Sequence, residues 1–289
     1  MTGSKEDRFG IELPPVFCRR DGVFKGQGGE GVRENRVRSI WRGGGVVLNG
    51  WLHVPSSFSA EVMAHAGWDS LTIDLQHGPP DVGGVIPMFQ AISTTDVVPF
   101  ARVNWNDPGT IMKILDAGCY GVICPMIEGR EDAEAFVGAC RYPPDGYRSY
   151  GPFRANLYGG PDYAANANET VVTMAMIETR EALEDLDGIL NVPGLDGIFV
   201  GPSDLGQSLG LGPGMDREEP ELAEAIDRVV GSARERGLGA GIFTGSTEYA
   251  GRMIDKGFNF INVSSDVRLM ADAASAAVTT LRDRRPPKR

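Results

Sequence analysis

The chain has 289 residues, 42% hydrophobic and 23% charged, a balance that excludes a mostly disordered protein and suits a soluble globular enzyme. Its 28 basic and 39 acidic side chains leave a formal charge of −11, which argues against nucleic acid or anionic lipid as partners. No apolar run reaches the ~20 residues of a membrane-spanning helix. The N-terminus, MTGSKEDRFGIELPP, lacks the apolar stretch of a secretory signal, so a cytoplasmic location is expected.

The first 40 or so residues are Gly-rich and charged, without apolar periodicity, and read as a flexible extension. Glycines 26, 28, 29 and 31 follow no strand, so a linker is preferred over a phosphate loop. Short apolar runs then alternate with amphipathic stretches. The strand-like runs are Val46–Val54, Ser70–Leu75, Val97–Val103, Gly121–Met126, Val171–Ile177, Gly197–Val200, Gly239–Phe243 and Phe260–Val263. Several are continuously apolar, as strands of a parallel sheet buried on both faces must be.

Between them lie helix signals. Asp107-Pro108 is a cap followed by proline at the first helical position, and Gly118 closes that helix. Ala182, Leu183, Leu186, Ile189 and Leu190 form one stripe at helical spacing; Leu222, Ile226, Val229, Val230 and Ala233 form another. A phrase of helix, glycine and buried strand recurs as HAGWDSLTIDL, DAGCYGVICPM, ERGLGAGIF and DKGFNFINV. Eight strands with intervening helices predict a single-domain (β/α)8 barrel over residues 41–283, with a basic tail at 284–289. No GxGxxG follows the first strand, which counts against a doubly wound sheet. Residues 141–169, rich in Tyr, Gly, Pro and Arg, form a long connection that reads as a lid or a subunit contact. Cys18, Cys119, Cys124 and Cys140 match no zinc spacing and read as reduced core thiols.

Barrel chemistry sits at the C-terminal ends of the strands. The second run ends in Asp74-Leu75-Gln76-His77, the third contains Arg102, the fifth runs into Glu178, and the sixth into Gly201-Pro202-Ser203-Asp204. Glu178 and Asp204 are one βα unit apart. Two carboxylates without a Cys or His cluster suit a hard cation such as Mg²⁺ or Mn²⁺; equally, either acid is placed to cap a helix. Asp74 and His77 have the spacing of an acid–base dyad, or of a capping aspartate beside a surface histidine. His53 and His65 are weaker candidates. Arg102 ends an otherwise apolar run, where it is either paired or used to stabilise an oxyanion. The turn that starts at Gly201 presents free amides suited to a carboxylate, or is an ordinary βα turn.

Together the motifs WLHVPSSFSAE, IDLQHGP, ARVNWNDP, RYPPDGYRSYG, IETREAL and DGIFVGPSDLGQSLG resemble the HpcH/HpaI family of metal-dependent class II pyruvate aldolases, from about Val46 to Ala274. The resemblance implies a (β/α)8 barrel and a homo-oligomer, usually a hexamer with the last helix exchanged between neighbours. It implies that Glu178 and Asp204 hold a divalent metal (Mg²⁺, Mn²⁺ or Co²⁺), to which pyruvate binds by its carboxylate and keto oxygen. By the same resemblance, the Ser203 and Asp204 amides, following Gly201, hold the carboxylate. Arg102 stabilises the keto oxygen. His77 is the acid–base residue, acting directly or through a water and oriented by Asp74. Asp116 reaches a neighbouring subunit's site, and Trp51 stands at the pocket mouth. Gln76 replaces a usual acid and Met176 a frequent Gln, and the N-terminal extension is longer than is typical.

The implied reaction is reversible retro-aldol cleavage of a 4-hydroxy-2-oxo acid to pyruvate and an aldehyde. No lysine lies on a strand run, which argues against Schiff-base chemistry. The alternatives are related enolate chemistry (oxaloacetate decarboxylation, acyl-CoA lysis or a macrophomate-synthase-like condensation) and a barrel that binds an oxo acid without turnover.

Overall fold

The computed structural model describes residues 31–284. In chain order the first elements are α1 (Arg36–Arg42), β1 (Val47–Leu52), α2 (Ser57–Ala64), β2 (Ser70–Asp74), α3 (Val82–Ile92), β3 (Val98–Arg102), α4 (Pro108–Asp116) and β4 (Gly121–Cys124). Then come α5 (Arg130–Cys140), α6 (Phe153–Gly159), α7 (Tyr163–Thr170), β5 (Val172–Ile177), α8 (Arg180–Glu184), α9 (Leu186–Leu190) and β6 (Gly197–Val200). The last are α10 (Pro202–Ser208), α11 (Pro220–Glu235), β7 (Gly239–Thr244), α12 (Thr247–Lys256), β8 (Phe260–Val263) and α13 (Asp266–Asp283). All eight strands are parallel, each pairs with the next, and β8 returns to β1 to close a barrel. This is the predicted (β/α)8 architecture.

Side chains alternate across a strand with a period of two. One parity faces the helices: Leu52, Ile73, Ala101, Val122, Ala175 and Ile198 join the helix faces in the larger apolar cluster. The other parity fills the lumen with Val47, Trp51, Val98, Phe100, Met174, Met176, Phe199 and Phe260. Continued toward the C-terminal mouth, the lumen parity selects His53, Asp74, Arg102 and Glu178. The lumen also holds a buried polar layer, in which the Ser70 and Thr72 hydroxyls donate to Asn49 Oδ1 at 2.9 Å, and the strand-end positions of the same parity form the polar rim.

The recurrent helix-to-strand phrase depends on glycine where the chain reverses: Gly118 has φ +96° and Gly257 φ +108°. The stripe at 182–190 is not one helix but two short ones, α8 and α9, meeting at Asp185.

The N-terminal expectation needs correcting over its last part, while residues 1–30 lie outside the described residues. Asn35 caps α1, and its buried side-chain amide also donates to the carbonyls of Tyr120 and Thr170, both at 2.9 Å. Trp41 packs on Phe260 and donates from Nε1 to the Asn259 carbonyl at 3.0 Å. Helix α1 thus closes the N-terminal mouth of the barrel. The 141–169 connection contains α6 and α7, and its Arg141 and Arg148 are buried in structural contacts. Cys119, Cys124 and Cys140 are free and buried, while Cys18 and residues 285–289 of the basic tail lie outside the described residues. No helix among the described residues is long and apolar enough to cross a membrane.

Candidate active site

A pocket of about 190 Å³ opens at the C-terminal mouth, a size suited to a metabolite of a few carbons. Its apolar wall is Trp51, Met176, Phe199, Met215 and Phe243; its polar wall is His53, His77, Arg102 and the Gly201–Asp204 turn. A wider cleft of about 700 Å³ lies at the opposite mouth, beside α1. Two of its charged groups, Arg38 and Asp196, are already paired with each other at 2.8 Å, and it is remote from the strand ends that carry the chemistry.

The polar wall is organised around Asp74. Register sets Asp74 on β2 beside Arg102 on β3, and Leu52 beside Ile73, which brings His53 level with Asp74 from the other side. Arg102 donates to the carboxylate through Nε at 2.9 Å and Nη2 at 2.6 Å, a bidentate pair. His53 Nε2 lies 2.8 Å from Oδ2, and Trp51 Nε1 donates to the same oxygen at 3.2 Å. The Gln76 and His77 amides complete Oδ1 at 3.0 and 3.4 Å. Burial raises the Asp74 pKa, but the hydrogen bonds from His53 and Arg102 and the Arg102 charge override it and hold the carboxyl far below the usual range.

This geometry corrects the expected dyad. Asp74 meets His77 only through the backbone amide, and its side-chain partners are His53, Arg102 and Trp51. His77 is exposed at the pocket rim, and among the described residues its ring has no hydrogen-bond partner. Trp51 lies deeper than a mouth residue: it is fully buried, packed on Phe199 and Phe243, with the Arg102 guanidinium 5.0 Å from its ring centroid. Asp116 lies outside the pocket of its own chain, at the C-terminal end of α4, where Arg148 Nη2 donates to it at 2.7 Å. Burial raises its pKa against the opposing pull of Arg148.

Sequence reasoning undervalued His53. The signal was present: His53 shares lumen parity with Trp51, two residues before it. Phe199 and Phe243 also escaped notice, because an aromatic in a strand reads first as core, and so did Met215, which reaches the pocket from the loop between α10 and α11.

On the facing wall, Glu178 lies behind Gly201, only 1% exposed. Its Oε1 accepts the Met126 amide at 2.8 Å, whereas Oε2 is buried without a hydrogen-bond partner. Burial pushes its pKa up to about 7; the Met126 amide lowers it, Asp204 raises it and Arg102 lowers it. A Cβ on Gly201 would stand 2.5 Å from Oε2, so glycine there makes room for the carboxylate. Asp204 is exposed in the first turn of α10, after Pro202. The Ser203 and Asp204 amides belong to the unpaired N–H groups of that turn.

Among the described residues no group of three or more His, Cys, Asp or Glu side chains is arranged to hold a metal. The carboxylates Glu178 and Asp204 remain, one with an orphaned buried oxygen. A hard divalent cation, which takes oxygen ligands and retains water, fits such a pair and compensates the buried charge.

The chain matches the family model for HpcH/HpaI aldolase/citrate lyase over residues 50–273. It is 44% identical over 248 residues to a hydroxypyruvate/pyruvate aldolase of Rhizorhabdus wittichii, covering 86% of this chain and 99% of that protein. It is 37% identical over 246 residues to a 4-hydroxy-2-oxo-heptane-1,7-dioate aldolase of Escherichia coli, covering 84% of this chain and 93% of the relative. The crystal structure of a family protein from Burkholderia cenocepacia superposes with a TM-score of 0.81 at 33% identity, covering 86% of this chain and 99% of that one.

Proposed function

The chain belongs to the HpcH/HpaI aldolase/citrate lyase family, and on that premise we propose that it acts as a divalent-metal-dependent class II pyruvate aldolase. It cleaves a 4-hydroxy-2-oxo acid reversibly to pyruvate and an aldehyde, through the pyruvate enolate. The observation that carries this reading is the buried Glu178 carboxylate, with Oε2 unpartnered and Asp204 near enough to raise its pKa.

Glu178 and Asp204 hold the cation, Mg²⁺ or Mn²⁺ by the hardness of their oxygens, with Co²⁺ a further candidate. Bound there, it would supply Lewis-acid charge to an oxo acid. The Ser203 and Asp204 amides, shaped by Gly201 and Pro202, receive the substrate carboxylate. Arg102 spends two N–H donors on Asp74, which fixes the guanidinium plane, and offers the others to the oxygen on which enolate charge develops. Asp74 and Trp51 are positioning residues for Arg102.

His77, at the rim, takes the proton of the 4-hydroxyl as the C3–C4 bond breaks and the aldehyde forms. The electron pair of that bond becomes the enolate, and a proton delivered to C3 gives the methyl group of pyruvate. In condensation the same steps run backwards.

We further assign the chain to a homo-oligomer. Phe153 and Leu157 on α6 are 88% and 87% exposed, and Met270 and Leu281 on α13 are 63% and 67% exposed, more apolar surface than single scattered residues present. In such an assembly Asp116 reaches a neighbour's pocket.

Pyruvate release from 4-hydroxy-2-oxo acids, with Mg²⁺ or Mn²⁺ and with EDTA, tests the assignment. Release only with metal is expected, with a loss of about 100-fold or more in Glu178→Gln and in Asp204→Asn. Unchanged turnover in either variant sinks the metal site.

A further inference from the structure

His53 is fixed at both ends. Its backbone N–H donates to Asp266 Oδ1 at 2.9 Å, tying the end of β1 to the start of α13. Its ring meets Asp74 through Nε2 at 2.8 Å. Because an ionised carboxylate only accepts, the ring proton must sit on Nε2. In the neutral ring Nδ1 is then a lone-pair acceptor of fixed direction, and among the described residues nothing bonds to it. The ring forms part of the pocket wall, with its side chain 26% exposed.

Its place in the barrel says which half of a substrate it meets. The groups for the carboxylate end of the oxo-acid half, Glu178, Ser203 and Asp204, come from β5 and the β6 turn, while Arg102 reaches its keto oxygen from β3. His53 comes from β1, across the lumen, with Trp51 and Phe243 beside it. A substrate whose oxo-acid end lies at Glu178, Ser203 and Asp204 projects its aldehyde end toward β1.

We propose that His53 is a specificity-determining residue, whose Nδ1 accepts a hydrogen bond from a hydroxyl on the aldehyde half of the substrate and so favours short hydroxylated aldehydes over unsubstituted ones. This rests on the aldolase reading and extends it to the second substrate.

The test compares condensation of pyruvate with glycolaldehyde and with acetaldehyde, which differ by one hydroxyl. The quantity read is the ratio of the two kcat/KM values, in which any loss transmitted through Asp74 and Arg102 cancels. His53→Phe is expected to lower the ratio about tenfold, the worth of one neutral hydrogen bond. His53→Gln, whose amide both donates and accepts, is expected to keep most of it. A ratio unchanged in His53→Phe, or lowered equally in His53→Gln, overturns the proposal. Deuterium exchange into the pyruvate methyl, which needs no aldehyde, separates the two readings. Its absence in the unaltered protein fails the aldolase reading. Its presence together with an unchanged ratio fails only the role of His53.

Discussion

Glu178 keeps its proton to about pH 7, against an ordinary value of 4.5, because its carboxylate is buried. The unfolded chain releases that proton earlier. The metal-free protein therefore loses stability as pH rises from 4.5 to 7, by on the order of 3 kcal/mol from this residue, and the loss persists above. In the proposed metal site a divalent cation would offset it. Thermal melts in EDTA should show Glu178→Gln gaining on the unaltered protein across that window, and Mg²⁺ or Mn²⁺ raising the unaltered Tm more at pH 8 than at pH 5. Parallel pH curves for the two proteins would contradict this account of Glu178. Gly201→Ala places a Cβ 2.5 Å from Oε2 and should abolish the Tm response to metal while leaving the barrel's circular dichroism intact; a full metal response would refute the need for glycine there. Asp74→Ala leaves a nearly buried Arg102 without its anion and should cost about 3–5 kcal/mol in urea unfolding. At this scale the strand-end acids and Arg102 were legible because polar groups interrupt apolar runs. The partnership of Asp74 was not, since sequence spacing favours His77 three residues away, whereas register across β1 and β2 delivers His53 from 21 residues earlier.

Helix α1 shows what an isolated segment conceals. Asn35, Val37, Ile40 and Trp41 already hold a cap and an i, i+3, i+4 apolar set, but in a run of seven helical residues amid glycines and arginines the signal is slight. Its meaning comes from the barrel's lower mouth, where the Tyr120 and Thr170 carbonyls accept from Asn35. Asn35→Ala removes the cap and both buried hydrogen bonds and should cost about 2–3 kcal/mol in urea unfolding, with the pocket's activity retained at low temperature. A cost below about 0.5 kcal/mol would show that α1 is not integral to the barrel. The strands were easier to read: each is a short apolar run bounded by turn residues, and their edges shifted by no more than two residues.

At the scale of the whole molecule, the barrel was legible because its four repeated helix–glycine–strand phrases set a period that no single element displays. The proposed assembly rests on the family resemblance and on the exposed apolar residues of α6 and α13, which look in sequence like ordinary helix faces. Sedimentation should show an oligomer for the unaltered protein and a smaller species for Met270→Asp combined with Leu281→Asp; a monomer in both would remove the assembly from the account. The central claim is enolate formation at the Glu178–Asp204 site, and it is tested most directly by pyruvate in D₂O. The methyl signal, followed by NMR with Mg²⁺, with Mn²⁺ (stripped before reading) and with EDTA, is predicted to exchange only with metal and not in Glu178→Gln. Exchange that survives EDTA or the Glu178 substitution, or no exchange with any metal, would contradict it.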